Sequence, residues 1–312
     1  MTPHQCSAIF SEMSAALFID TNQYLDLFGV GPAAKLFDSL DEQKAHLLVT
    51  TQIVDEVFRR KLGRAQEIFS AELKKIDISK KFAVAVDLLA VSDERTSELK
   101  EIFTRAEAGR AELAESAASA LVRISRSEDY VSKRLAALFD GARSPTVEEM
   151  RRARERRERG NPPGKRADPL GDQITWEQLL AHCKEKKVNR IWIITKDQDF
   201  CAKHDEAILL NPFLHRDLVK ACGAAPEIRC FSTLGAGIRD FEDNAGVKAE
   251  KRLTDTEAKA IDNATRALPA SDLPTLSQDQ YRHRLTAAMH AAVAAMLAEH
   301  PELRAIGTDP IE

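Results

Sequence analysis

Five acids in this 312-residue chain follow short apolar runs or open helices: Asp20, Glu56, Asp172, Asp197 and Asp199. Asp20 ends the run Ala16-Leu17-Phe18-Ile19 and is followed by Thr21 and Asn22. Glu56 lies just inside the helix after a second apolar run, and periodicity alone does not separate it from Asp55. Asp172 opens a helix, with Asp168 four residues earlier as its competitor, and Asp197 and Asp199 follow Arg190-Ile191-Trp192-Ile193-Ile194-Thr195. Carboxylates brought together repel one another unless a cation sits among them. Hard oxygen donors select Mg²⁺ or Mn²⁺, ions that keep waters and bind phosphates, and phosphodiester hydrolysis by an in-line water is the matching chemistry. No histidine-based centre competes, because His4, His46, His182 and His204 show no acid/base or zinc-ligand spacing.

Each acid also has a plainer role open to it. Asp20 could cap a helix or make a turn, Glu56 could be a solvated helix residue, Asp172 could be a cap, and Asp197 and Asp199 could be turn acids. Asp172, however, falls on one helical stripe with Trp176, Leu179 and Cys183, which faces it toward a sheet. Two carboxylates just past a buried strand also exceed what a turn requires.

Convergence depends on the elements. The pattern is strand, helix, strand, helix: an opening strand, a helix over Ala33 to Leu40, a strand over His46 to Thr50, and a helix capped by Thr51 with Ile53, Val54, Val57 and Phe58 on its apolar face. This predicts a parallel α/β sheet, whose strand ends and following helix starts share one edge. From about Arg64 to Asp140 the chain reads as charge- and alanine-rich helix, a helical insertion covering about 64–145. The sheet resumes with a helix over Gln173 to Lys187, the strongly buried strand Arg190 to Thr195, a helix over Pro212 to Cys222, a short strand over Glu227 to Phe231 and a helix near Leu234 to Asn244. Trp176 and Trp192 lie in apolar segments and belong to the core. Residues 1–245 are expected to form the sheet domain and 246–312 a helical C-terminal extension that includes Gln278 to Glu299.

The window 151–166 is the most basic in the chain, and it runs into the loop Gly160-Asn161-Pro162-Pro163-Gly164 just before Asp172. Arg154, Arg156, Arg157, Lys165 and Arg166 are the candidates for phosphate contacts, set against a solvated helix face paired with Glu149, Glu155 and Glu158. Any nucleic-acid affinity must be local, since 45 Lys and Arg against 49 Asp and Glu leave a formal charge of -4. Five cysteines without C-x-x-C spacing argue against a disulfide framework or a structural zinc site and fit a reducing cytoplasm. Ala287 to Leu297 is too short to span a membrane and is broken by His290, and no basic-then-apolar leader precedes it.

The runs Phe18-Ile19-Asp20-Thr21-Asn22, Val54-Asp55-Glu56-Val57, Gly171-Asp172 and Ile194-Thr195-Lys196-Asp197-Gln198-Asp199-Phe200, in this order, resemble the PIN domain. The Pro162-Pro163-Gly164 loop, Asp168 and Gly171-Asp172-x-x-x-Trp176 resemble a bacterial PIN-like subfamily with a helical insertion. The resemblance covers roughly 15–244 without most of the insertion. It implies an α/β/α sandwich around a parallel sheet and a metal-dependent nuclease acting most often on RNA. It further implies Asp20, Glu56, Asp172 and Asp197 as catalytic, metal-binding acids, Asp199 as an accessory or alternative fourth, and Thr21, Asn22 and Thr195 as polar supports. The spacing between the second and third acids is longer than the family's, and Asp168 competes for the third role.

The expected activity is thus Mg²⁺- or Mn²⁺-dependent hydrolysis of RNA, with DNA as the other substrate. A toxin or defence role is family-level analogy, and a homodimer or an inhibitor protein is left open. Two rivals rank lower. A haloacid-dehalogenase-like phosphatase needs a second aspartate two residues after the first, where this chain has Asn22. A PIN-like module that binds RNA or protein without cutting has no chemical reason to keep repelling acids together.

Overall fold

The computed structural model describes residues 14–31, 33–76, 93–164, 170–205, 207–246 and 250–268, all within one compact unit, Met1–Ala270. His4, Cys6, Lys165, Arg166, Asp168 and the segment Gln278 to Glu299 lie outside them.

The sheet is built from runs that are apolar on both faces, as a parallel sheet covered on two sides requires. Strand β1 (Ala15–Ile19) is buried throughout. It pairs in parallel with β2 (Leu47–Leu48) on one side and β3 (Arg190–Ile194) on the other, and β3 pairs in parallel with β6 (Glu227–Phe231), giving the order β2-β1-β3-β6. Register sets the strand-end edge: Ile19 lies opposite Ile194, and the Asp20 N–H donates to the Ile194 carbonyl at 2.9 Å. The residues that leave these two central strands, Asp20 and Thr195, are therefore neighbours. This is the α/β class with a central parallel sheet read from the sequence.

Edge strand β2 is shorter than the expected His46 to Thr50. Thr50 is drawn out of it to cap α3 (Thr51–Lys75), its Oγ1 accepting from the Ile53 N–H at 3.2 Å. The cap is thus Thr50 and not Thr51. No helix boundary falls at Arg64, where the insertion was expected to start. Helix α3 runs through it, and Lys61, Arg64, Ala65 and Ile68 are buried. Lys61 Nζ donates to Ser127 Oγ at 2.6 Å and to Ser132 Oγ at 3.0 Å, tying α3 to the turn after α4 (Asp93–Ser125) and to α5 (Tyr130–Leu138). Phe58, expected on the buried face, is instead partly exposed beneath the Lys61 ammonium.

Before the insertion, α1 (Thr21–Asp26) follows β1 directly and α2 (Ala33–Glu42) leads to β2. After it come α6 (Val147–Glu158) and α7 (Gly171–Glu185). A hairpin missed in the sequence follows β3, with β4 (Cys201–His204) antiparallel to β5 (Ala207–Leu210) and Asp205 in the left-handed region at φ +52°. Then α8 (Pro212–Cys222), β6, α9 (Leu234–Asn244) and α10 (Asp255–Ala267) complete the described chain. Both tryptophans are fully buried: Trp176 meets Phe200 edge-on at 5.9 Å, and Trp192 meets Phe241 at 5.0 Å. Asp262 of α10 accepts from Thr233 Oγ1, the Gly235 N–H and the Ala236 N–H, closing the start of α9 against α10. Among the described residues, no helix is long and apolar enough to cross a membrane.

Candidate active site

Asp20 occupies the cap position of α1, yet its side chain makes no cap hydrogen bond. Its Oδ2 instead accepts from Thr195 Oγ1 at 3.0 Å, across from the end of β1 to the end of β3. Asp20 is only 8 % exposed and Thr195 only 1 %, so this edge is largely closed off from bulk water. Burial, and then the negative charge of Glu56, push the Asp20 carboxyl up to about 7; Asp197 adds to the rise, and the Thr195 hydroxyl and Thr21 backbone act against it. Three acids remote in sequence therefore share one electrostatic site.

Glu56, not Asp55, faces this edge. Asp55 is exposed, whereas Glu56 Oε2 accepts from Thr21 Oγ1 at 3.3 Å and its Oε1 from Arg60 Nη1 at 2.7 Å. Arg60 went unnoticed in the sequence, although a Glu-to-Arg pair at i, i+4 on a helix was a readable signal. At the end of β3, Thr195 Oγ1 also accepts from the Asp197 N–H at 3.0 Å, and Asp197 Oδ1 accepts from the Asp199 N–H at 2.8 Å. Asp197 thus has the turn role open to it from the sequence and also bears on Asp20. Asn22 is half-buried one step further along α1.

Asp172 reaches the region by a different route. The cap position of α7 belongs to Leu170, so Asp172 sits inside the first turn and is not the cap. Gly171 lies so close to α3 that an added Cβ would stand 2.6 Å from Gln52 Nε2, which sets the start of α7 against the start of the helix carrying Glu56. On the other flank Gly164, at φ +77°, would place a Cβ 2.5 Å from Gln173 Nε2 and 3.4 Å from Asp172 Oδ2. Only glycine fits both that backbone and that gap, so the Pro162-Pro163-Gly164 loop lies directly on the start of α7. The competition with Asp168 falls outside the described residues.

The basic window divides in two. Arg154 is exposed and Arg157 half-exposed, as a phosphate-binding surface requires. Arg156 contradicts that expectation. Its guanidinium is buried, donating to Glu177 Oε1 at 2.9 and 2.6 Å, to Asp217 Oδ2 at 2.7 Å and to the Pro162 carbonyl at 2.7 Å. It clamps α6, α7, α8 and the loop together and has no face left for a ligand. Arg151 and Arg152 pair with Glu148, and Arg151 also with Glu155, along the solvated face.

A family model described as PIN domain matches residues 17–200, more than half of the chain. The chain belongs to the PIN domain family. No curated protein and no solved structure matches it. The matched span begins inside β1 and ends just past Asp199, so Asp20, Glu56, Asp172, Asp197 and Asp199 all fall within it. PIN domains are generally nucleases and typically use divalent metals, and this chain has the nuclease-type fold. Among the described residues, no group of three or more His, Cys, Asp or Glu is drawn together tightly enough to ligate one ion. The donors nevertheless suit a hard cation, which is commonly held by one or two carboxylates and keeps several waters. The Tyr24 hydroxyl, buried and close enough to feel the Asp20 charge, has no partner among the described residues, so the edge holds polar capacity that the chain itself leaves unused.

Proposed function

We propose that this PIN domain is a Mg²⁺- or Mn²⁺-dependent endonuclease that hydrolyses phosphodiester bonds, with RNA as its substrate. The observation that carries this reading is the Asp20 carboxyl, buried at a strand end and pushed up to about 7 by burial and by the charges of Glu56 and Asp197. A protein gains nothing in stability by gathering like charges in a closed site, whereas a cation turns the same arrangement favourable.

One or two of the carboxylates of Asp20, Glu56 and Asp197 would hold the ion directly, with waters completing its shell and Asp172 and Asp199 as the further acids of the site. When bound, it supplies an activated, oriented water and offsets charge on the scissile phosphate. The chain's own part is pre-setting the acids. Thr195 holds Asp20 Oδ2, Thr21 and Arg60 hold the two oxygens of Glu56, and the Asp199 N–H fixes Asp197 Oδ1. Such hydrogen-bonded partners orient ligating carboxylates and keep them from collapsing away from the cation. Arg154 and Arg157 offer sequence-independent phosphate contacts beside the loop that leads to Asp172.

The test is cleavage of paired RNA and DNA substrates by purified protein with Mn²⁺ or Mg²⁺. Wild-type protein cleaves RNA only with the cation, and Asp20→Asn, correctly folded, loses more than the roughly 10- to 100-fold that an outer partner's removal costs. An equally active Asp20→Asn protein would sink the mechanism.

A further inference from the structure

Between Thr195, which holds Asp20, and Asp197 stands Lys196, a cation that the proposed chemistry has not used. Its Nζ lies 2.5 Å from Asp26 Oδ2 at the far end of α1. Asp26 is buried and would need a counter-charge, but it already has one. Arg64, equally buried, donates to Asp26 Oδ1 from Nε at 3.1 Å and from Nη2 at 2.7 Å. The Lys196 side chain, in contrast, is 38 % exposed where that of Asp26 is 6 %, so the cationic end of this bridge faces solvent while its acid does not. Asp26 thus keeps a buried counter-charge, Arg64, when the more exposed Lys196 leaves it.

Its placement suggests the use. Asp20 stands at the cap position of α1 and Asp26 is the last of its six residues, so at 1.5 Å of rise per residue their backbone positions stand about 9 Å apart. An ammonium bonded to Asp26 is thus anchored at the opposite end of α1 from Asp20. A strand bound along the acidic edge would bring a phosphate next to the scissile one toward this ammonium, which offsets the repulsion that the acids exert on a polyanion.

We propose that Lys196 is a substrate-binding residue that leaves Asp26 to grip a phosphate neighbouring the scissile one. This rests on the nuclease reading above. The ammonium is a flexible point charge with three donors, suited to moving from a carboxylate to a phosphate without geometric demands. The grip is to the backbone and carries no sequence preference.

The test uses the Asp20→Asn protein, so that binding is read without cleavage, and a fluorescent single-stranded RNA oligonucleotide titrated at several salt concentrations. Adding Lys196→Met should weaken binding roughly tenfold at low salt and reduce the slope of log affinity against log salt by about 0.7, the loss of one phosphate contact. Lys196→Arg should keep both. Unchanged affinity and slope in Lys196→Met, with wild-type protein cleaving RNA, would overturn the assignment while leaving the nuclease intact. A weaker affinity with an unchanged slope, accompanied by a lowered unfolding midpoint, would overturn it in favour of a purely structural bridge to Asp26. If wild-type protein cleaves no RNA and Asp20→Asn binds none, the nuclease reading falls and this assignment with it.

Discussion

Two regions of this molecule bury charge, and they do so in opposite ways. Around Arg156, one guanidinium is shared by the buried Glu177 and the nearly buried Asp217 and also donates to a backbone carbonyl, so both acids have a cation in contact. Around Asp20, a buried carboxyl meets the negative charge of Glu56 and Asp197; among the described residues its donors are the Thr195 hydroxyl and the Thr21 backbone, while Arg60 pairs with Glu56. The first arrangement is complete in itself and holds helices together. The second leaves like charges side by side, the arrangement on which the proposed metal site rests.

The largest stability effect is expected where the pairing is complete. Arg156→Ala would leave Glu177 and Asp217 without their partner, at a cost of about 3–5 kcal/mol, read as a lower midpoint in urea unfolding. Arg154→Ala with Arg157→Ala would leave that midpoint unchanged and only weaken RNA binding across unrelated sequences. Should the two arginine groups behave alike, the division of the basic helix drawn here is wrong.

Next comes the pH response of the incomplete site. The Asp20 carboxyl has a folded value of about 7 against 3.8 for the free group. Below 3.8 both states hold the proton; between 3.8 and 7 only the folded state does, so metal-free stability falls as pH rises through this window and levels off above it. The full effect is at most about 4 kcal/mol. Asp20→Asn should remove this fall and be the more stable protein at pH 8. A wild-type stability that rises from pH 4 to 7 by the same amount would remove the basis for the like-charge site.

A smaller effect is expected at Thr195, whose hydroxyl positions Asp20 without touching a ligand. Thr195→Val should lower metal affinity or cleavage by about 10- to 100-fold with the fold preserved. An unchanged metal affinity would leave Asp20 positioned by the backbone alone.

The comparison also marks how far the sequence could be read. Apolar runs found β1, β3 and the buried tryptophans, because burial on both faces leaves a continuous signature. The order of the acids placed Asp20, Asp197 and the helix of Glu56 on one edge. Periodicity could not choose Glu56 over Asp55, since the choice is made by a hydroxyl, Thr21, 35 residues away. Nor could it separate Arg156 from Arg154 and Arg157: its partners lie 21 and 61 residues further along, and a local charge count sees only the neighbours on the same helix. The β4–β5 hairpin escaped because its strands are four residues each and carry a solvent-facing side, with a burial pattern too weak to stand out. Thr50 was assigned to the strand because its cap role depends on where β2 stops.

The central claim is that the Asp20 edge is built for a divalent cation, and the most direct measurement is thermal unfolding of wild-type and Asp20→Asn protein at pH 8 across a Mn²⁺ titration. Wild-type protein should gain stability with Mn²⁺, by about 2.7 kcal/mol at a hundred times the dissociation constant, while Asp20→Asn gains little. An equal gain in both proteins, or none in either, would contradict it.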